Sequence, residues 1–134
     1  MPGSTRSFEF AKRLVQRGDT VYMVTANWQG QSKSSFSKEW GINVYWAPIR
    51  YANKMNFIAK YFSYISYLGY VMIIGKKLKY DLIIASSTPL TVAIPALIFK
   101  KLKSTKFVFE IRDLWPQLPI AIGALKSPIM IKIA

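Results

Sequence analysis

Two stretches without a single charge, residues 61–75 and 82–99, dominate the middle of the chain, and the short segment between them holds Lys76, Lys77, Lys79 and Asp81. A chain that carries them must either cross a membrane or bury them in its own interior. The first has fifteen residues fenced by Lys60 and Lys76, short of the ~20 that span a bilayer. The second is long enough for a hydropathy window to flag. It opens, however, on Leu82-Ile83-Ile84-Ala85, a continuous apolar run of the kind found in parallel strands buried on both faces. It continues as Ser86-Ser87-Thr88-Pro89, a cap hydroxyl before a proline, which is how a helix begins. Pro95 is placed to bend that helix near its middle. A small polytopic membrane protein is therefore the weaker reading, and alternating strands and helices the stronger.

The alternation extends along the chain. Thr5 to Gly18 has Phe8, Ala11, Leu14 and Val15 at helical spacing with Lys12, Arg13 and Arg17 outward, and Gly18 is a helix stop. Thr20 to Ala26 and Ile42 to Ala47 read as strands, joined by a polar loop over 27–41 that is long for a simple connector. Asn53 to Lys79 reads as a helix apolar nearly all round. Asp81 to Ser86, the helix to Lys103, the strand Lys106 to Ile111 and an apolar, helical tail to Ala134 complete the order. Strand followed by helix, repeated, predicts an α/β fold: a Rossmann-like parallel sheet with flanking helices.

Composition closes other routes. The length of 134 residues fits one domain, and 51% hydrophobic with 15% aromatic residues excludes disorder. Without Cys or His, a Ser-His-Asp triad, a thiolate nucleophile and a Cys-ligated or H-E-x-x-H zinc site are impossible within these residues. Nineteen Lys+Arg against six Asp+Glu give a net charge of +13, which asks for an anionic partner. Nucleic acid is one candidate, but no recognised motif supports it. The lysine clusters 76–79 and 100–103 sit at helix C-termini, where cations complement the macrodipole. No charged head with an apolar run and cleavage site opens the chain, so a cytoplasmic setting is expected.

In an open parallel sheet, ligands meet the carboxyl ends of the strands. The residues expected there are Asn27 and Trp28, then Pro48 to Lys54, Ser87 and Thr88, and Arg112-Asp113-Leu114-Trp115. Ser87 and Thr88 can cap the following helix, and such an N-terminus also offers N–H groups to a phosphate or sugar oxygen. Arg112 suits a phosphate and Asp113 a hydroxyl, and because they follow directly on the apolar run Phe107-Val108-Phe109 this reading is favoured over a mere local ion pair. Trp115 can belong to the core or stack on a sugar ring. Pro2-Gly3-Ser4-Thr5-Arg6 is a glycine turn that lets the backbone approach a phosphate, but it is neither G-x-G-x-x-G nor a Walker loop.

Three segments resemble the N-terminal domain of bacterial family 4 glycosyltransferases of the capsule, O-antigen and colanic-acid type. They are Thr5 to Gly18, Tyr51-Ala52-Asn53-Lys54-Met55, and Ser86-Ser87-Thr88-Pro89-Leu90-Thr91 followed by Phe107 to Pro116. The resemblance implies the acceptor-side half of a GT-B enzyme, which transfers a sugar with retention from a nucleotide-sugar to a glycan, commonly a lipid-linked one. It implies no cofactor and no obligatory metal, and no D-x-D pair occurs among the six carboxylates. By the same resemblance Asp113 and Arg112 are the expected catalytic residues, Asp113 orienting or deprotonating the acceptor hydroxyl. Gly3, Thr5, Arg6, Asn53, Lys54, Ser87, Thr88 and Trp115 are the expected substrate contacts.

The sequence departs from the family where Gly18-Asp19-Thr20 replaces Gly-His-Glu and where Gln117 follows Trp115-Pro116. Relative to the family, residues 1–134 are expected to be a domain truncated at both ends, without its first central strand and without the donor-binding domain. A fragment of this kind is expected to be inactive alone. The expected partners are the nucleotide-sugar, the glycan acceptor and an anionic membrane surface at the cytoplasmic face of the inner membrane. Arg50, Lys54 and Lys60, among seven aromatics between Tyr51 and Tyr70, are the residues expected to rest on lipid.

Overall fold

In the computed structural model, which describes residues 6–26, 33–49, 55–87 and 90–112, the first helix, α1, covers Arg6–Gln16. It buries Phe8 and Ala11, one helical turn apart. Its end is a Schellman motif: the Gly18 N–H donates to Val15 O at 2.9 Å and the Asp19 N–H to Leu14 O at 3.1 Å, with Gly18 at φ +92°. The glycine stop expected from the sequence is thus present.

Three strands follow, β1 (Tyr22–Ala26), β2 (Ser35–Glu39) and β3 (Ile42–Ala47), in the spatial order β1-β3-β2. β1 and β3 are parallel, Tyr22 opposite Asn43 through Ala26 opposite Ala47. β2 pairs antiparallel to β3, Ser35 opposite Trp46 and Glu39 opposite Ile42. The expectation of a polar loop over 27–41, of which residues 27–32 lie outside the described residues, is corrected in part, since Ser35–Glu39 is a strand. Its turn is the two-residue Trp40-Gly41, both at positive φ, the backbone that matches strand twist in tight hairpins.

Both faces of this sheet carry a helix. Side chains alternate along a strand, so Ile42 and Val44 point to one face, where they form a core with Phe8 and Ala11 and with the flanking Val15, Val21, Met23 and Trp46. The opposite face takes α2 (Phe57–Lys77), whose Tyr67 hydroxyl donates to Val24 O at 3.0 Å. Asn56 caps α2, its Oδ1 accepting the Ala59 N–H at 2.8 Å, and Lys76 and Lys77 occupy the last turn, where cations are favoured. These elements lie in one of two compact units, Met1–Lys79; the other is Tyr80–Ala134.

The second unit contains a strand–helix–strand: β4 (Leu82–Ser86), α3 (Ala93–Lys103) and β5 (Lys106–Glu110), with β4 and β5 parallel. α3 buries Ala93, Pro95, Ala96 and Phe99. Three expectations change. α3 is preceded by a 3-10 turn over Leu90–Val92 and begins at Ala93 with no side-chain cap, so Ser87 does not cap it. Pro95 lies in the first turn, where a missing N–H is harmless, rather than at a mid-helix bend. β4 is not buried on both faces: Ala85 is buried, whereas Leu82 and Ile84 are exposed.

The architecture is mixed α/β. The described strands form a three-stranded mixed sheet and a two-stranded parallel one rather than a single parallel sheet. Between the parallel strands β1 and β3 the chain passes through β2.

Candidate functional site

At the carboxyl ends of β4 and β5 the register sets Ser86 opposite Glu110. Ser86 Oγ donates to Glu110 Oε2 at 2.6 Å, a short charge-assisted bond. The next residue, Ser87, extends the pairing by donating its N–H to Glu110 O at 2.9 Å. Ser87 is 1% exposed, and its Oγ accepts the backbone N–H of Arg112 at 2.8 Å. That bond stitches the segment leaving β5 to the end of β4. The hydroxyl expected to cap a helix or touch a ligand is occupied by the main chain of the residue expected beside it.

Two of the expected site residues, Ser87 and Arg112, therefore meet, through the Arg112 main chain. Arg112 itself is exposed, which leaves its guanidinium on the surface at the strand-end edge. Arg6 opens α1, is exposed, and places its guanidinium 6.0 Å from the centroid of Phe10. Gly3, Thr5, Asn53, Lys54, Thr88, Asp113 and Trp115 lie outside the described residues, as do Asn27, Trp28 and Arg50.

Sequence reasoning passed over Ser86 and Glu110 as a pair. A signal was available. Each is the first polar residue after an apolar run, 82–85 in one strand and 107–109 in the other, so equal strand lengths in a parallel pair set them side by side. Together they place a carboxylate and a hydroxyl at the strand-end edge, but the single Ser86 proton is taken by Glu110 Oε2 and Glu110 Oε1 is buried, so the pair ties the two strand ends together. Among the described residues no group of three His, Cys, Asp or Glu could hold a metal ion.

The first unit has its own concave surface. A groove of about 330 Å³ lies between the end of β3 and α2, lined by Pro48, Ile49, Ser66, Gly69, Tyr70 and Ile73. A Cβ added at Gly69 would meet nothing within 4 Å. Burial, reinforced by the neighbouring Tyr45, holds the Tyr70 hydroxyl above its ordinary pKa. Deeper in the interface, burial and then Tyr64 push Tyr67 up to about 12. No described helix is long and apolar enough to cross a membrane.

No family model matches the sequence, and neither the curated proteins nor the solved structures yield a match.

Proposed function

We propose that this chain is the acceptor-side domain of a retaining glycosyltransferase of the GT-B type, acting in surface polysaccharide synthesis. Its substrates are a nucleotide-sugar and a glycan acceptor attached to lipid, and its working place is the anionic inner face of the plasma membrane. One observation carries most of the support: Ser87 and Arg112, singled out from sequence, adjoin at the carboxyl edge of a parallel strand pair, with the hydrogen-bonded Ser86 hydroxyl and Glu110 carboxylate next to them. That edge is where open α/β sheets bind ligands.

In this reading the strand-end edge binds acceptor oxygens, Arg112 offering a planar cation to phosphate or sugar oxygens. Asp113 orients or deprotonates the acceptor hydroxyl, as a carboxylate in reach of that proton can. In a GT-B enzyme the acceptor-side half binds the glycan, so residues 1–134 are expected to contact the acceptor. Saturation-transfer NMR with bacterial oligosaccharides and the purified chain tests this. Contact is expected with the native chain and loss of it with Arg112→Ala. Absence of contact with every glycan, or contact that Arg112→Ala leaves unchanged, overturns the reading.

A further inference from the structure

We infer that the outward face of α2 is a docking face for an anionic lipid surface. The inference deepens the membrane-side reading above and rests on it, by naming the surface that makes contact. α2 is apolar on two sides. One is held on the sheet by the Tyr67 bond to Val24. The other exposes Ile58, Tyr61, Phe62, Ile65 and Ile73, with Ile58 65% and Phe62 64% accessible. These residues fall at three- and four-residue spacing with Gly69 between them, so they form one stripe along the helix. Lys76 continues the stripe, and both Lys76 and Lys77 are exposed.

The stripe runs about 27 Å from Ile58 to Lys76 at ~1.5 Å per residue. Its helix cannot span a bilayer, so the geometry suits a helix lying in the interface plane. The groove lined by Ile49, Ser66, Gly69 and Ile73 adjoins the stripe through Gly69 and Ile73 and widens the apolar contact. Lys60, expected on this surface, is half-buried and two residues out of phase with the stripe. The lysines that matter are Lys76 and Lys77.

Charge selects the occupant. α2 contains no Asp or Glu, and residues 1–79 hold twelve Lys+Arg against three Asp+Glu. A second copy would bring the same positive field against itself, whereas a bilayer rich in anionic headgroups complements it.

The test is flotation of the full chain with vesicles of phosphatidylglycerol and phosphatidylethanolamine, against vesicles of phosphatidylcholine. Binding to the first and little to the second is expected. Phe62→Ser with Ile65→Ser should weaken partitioning by about tenfold or more. Lys76→Glu with Lys77→Glu should do so by a similar factor and abolish the salt sensitivity. Far-UV circular dichroism should be unchanged in both, because the altered side chains are exposed. Failure of the native chain to bind anionic vesicles overturns the inference, as does binding that survives both double substitutions. So does a concentration-dependent dimer that Phe62→Ser with Ile65→Ser dissolves while lipid binding is absent. Flotation contains neither donor nor glycan, so its failure is distinct from failure of the glycan-binding reading.

Discussion

Replacing Gly41 by alanine probes the hairpin that sequence reasoning missed. Gly41 sits at φ +83°, and a Cβ built there would lie 2.6 Å from Val15 Cγ1, a distance at which the Val15 side chain, α1 or the turn must move. Two costs add. Left-handed backbone costs a non-glycine residue about 1–2 kcal/mol, and overpacking against a branched side chain costs about 1–3 kcal/mol. The reduced freedom of the unfolded chain returns about 0.4–1 kcal/mol. A net loss of about 2–4 kcal/mol is expected from urea denaturation followed by tryptophan fluorescence, Trp40 and Trp46 both lying in this hairpin. Gly18→Ala supplies the control, because its φ is +92° but a Cβ there meets nothing within 4 Å. It should lose only the backbone share less the same unfolded-chain return, about 1 kcal/mol. Val15→Ala, introduced with Gly41→Ala, should recover about 1–2 kcal/mol relative to additivity. Equal losses at Gly41 and Gly18, or strict additivity with Val15→Ala, would refute the packing argument.

Other expectations follow from the same interfaces. Tyr67 is protonated in the fold up to about pH 12 but only to about 10 when unfolded. The folded state therefore holds the extra proton in that window, and stability is complete below pH 10 and falls as pH rises from 10 through 12. Tyr67→Phe should flatten that fall in alkaline urea titrations and cost about 1–3 kcal/mol at neutral pH by leaving Val24 O without its donor; an unchanged alkaline slope would exclude Tyr67 as the cause. Asn56→Ala removes the cap on α2 and should cost about 1 kcal/mol, read as earlier thermal loss of helical ellipticity, with Asn56→Asp retaining stability. Ser87→Ala leaves the Arg112 N–H without its acceptor and should cost about 1–3 kcal/mol, accompanied by faster hydrogen exchange at Arg112. Slow exchange at that amide in the variant would mean that the stitch between β4 and β5 lies elsewhere.

Much of the fold was legible where the signal is local. The spacing of Phe8, Ala11 and Val15 with the Gly18 stop marks α1, whose observed bounds are Arg6–Gln16. The β-branched and aromatic run Ile42 to Ala47 coincides with β3 as observed. α2, β4, α3 and β5 each lie within the stretches expected for them. Hydrophobic periodicity and terminal residues act over one or two turns, so a linear reading captures them.

Pairing across the chain was not legible in the same way. Ser35-Phe36-Ser37-Lys38-Glu39 has one apolar residue and weak strand character, yet β3 supplies it with a ladder, and Trp46 Nε1 donates to Ser37 Oγ at 2.8 Å. Ser87 carries the sequence pattern of a helix cap, but in the fold its Oγ accepts the backbone N–H of Arg112, twenty-five residues on. The candidate site divides along the same line. Its residue types, serines beside an arginine after apolar strands, are written in the sequence. Which hydroxyl serves the main chain, and that Glu110 joins Ser86, was decided by strand register. The apolar character of α2 is likewise plain from its residues, but only the sheet, by covering one side through Tyr67 and Val24, determines which side is left to meet a partner. Composition and periodicity specify what each segment can form. Burial and register, which depend on residues far apart in the chain, decide what each side chain is free to do.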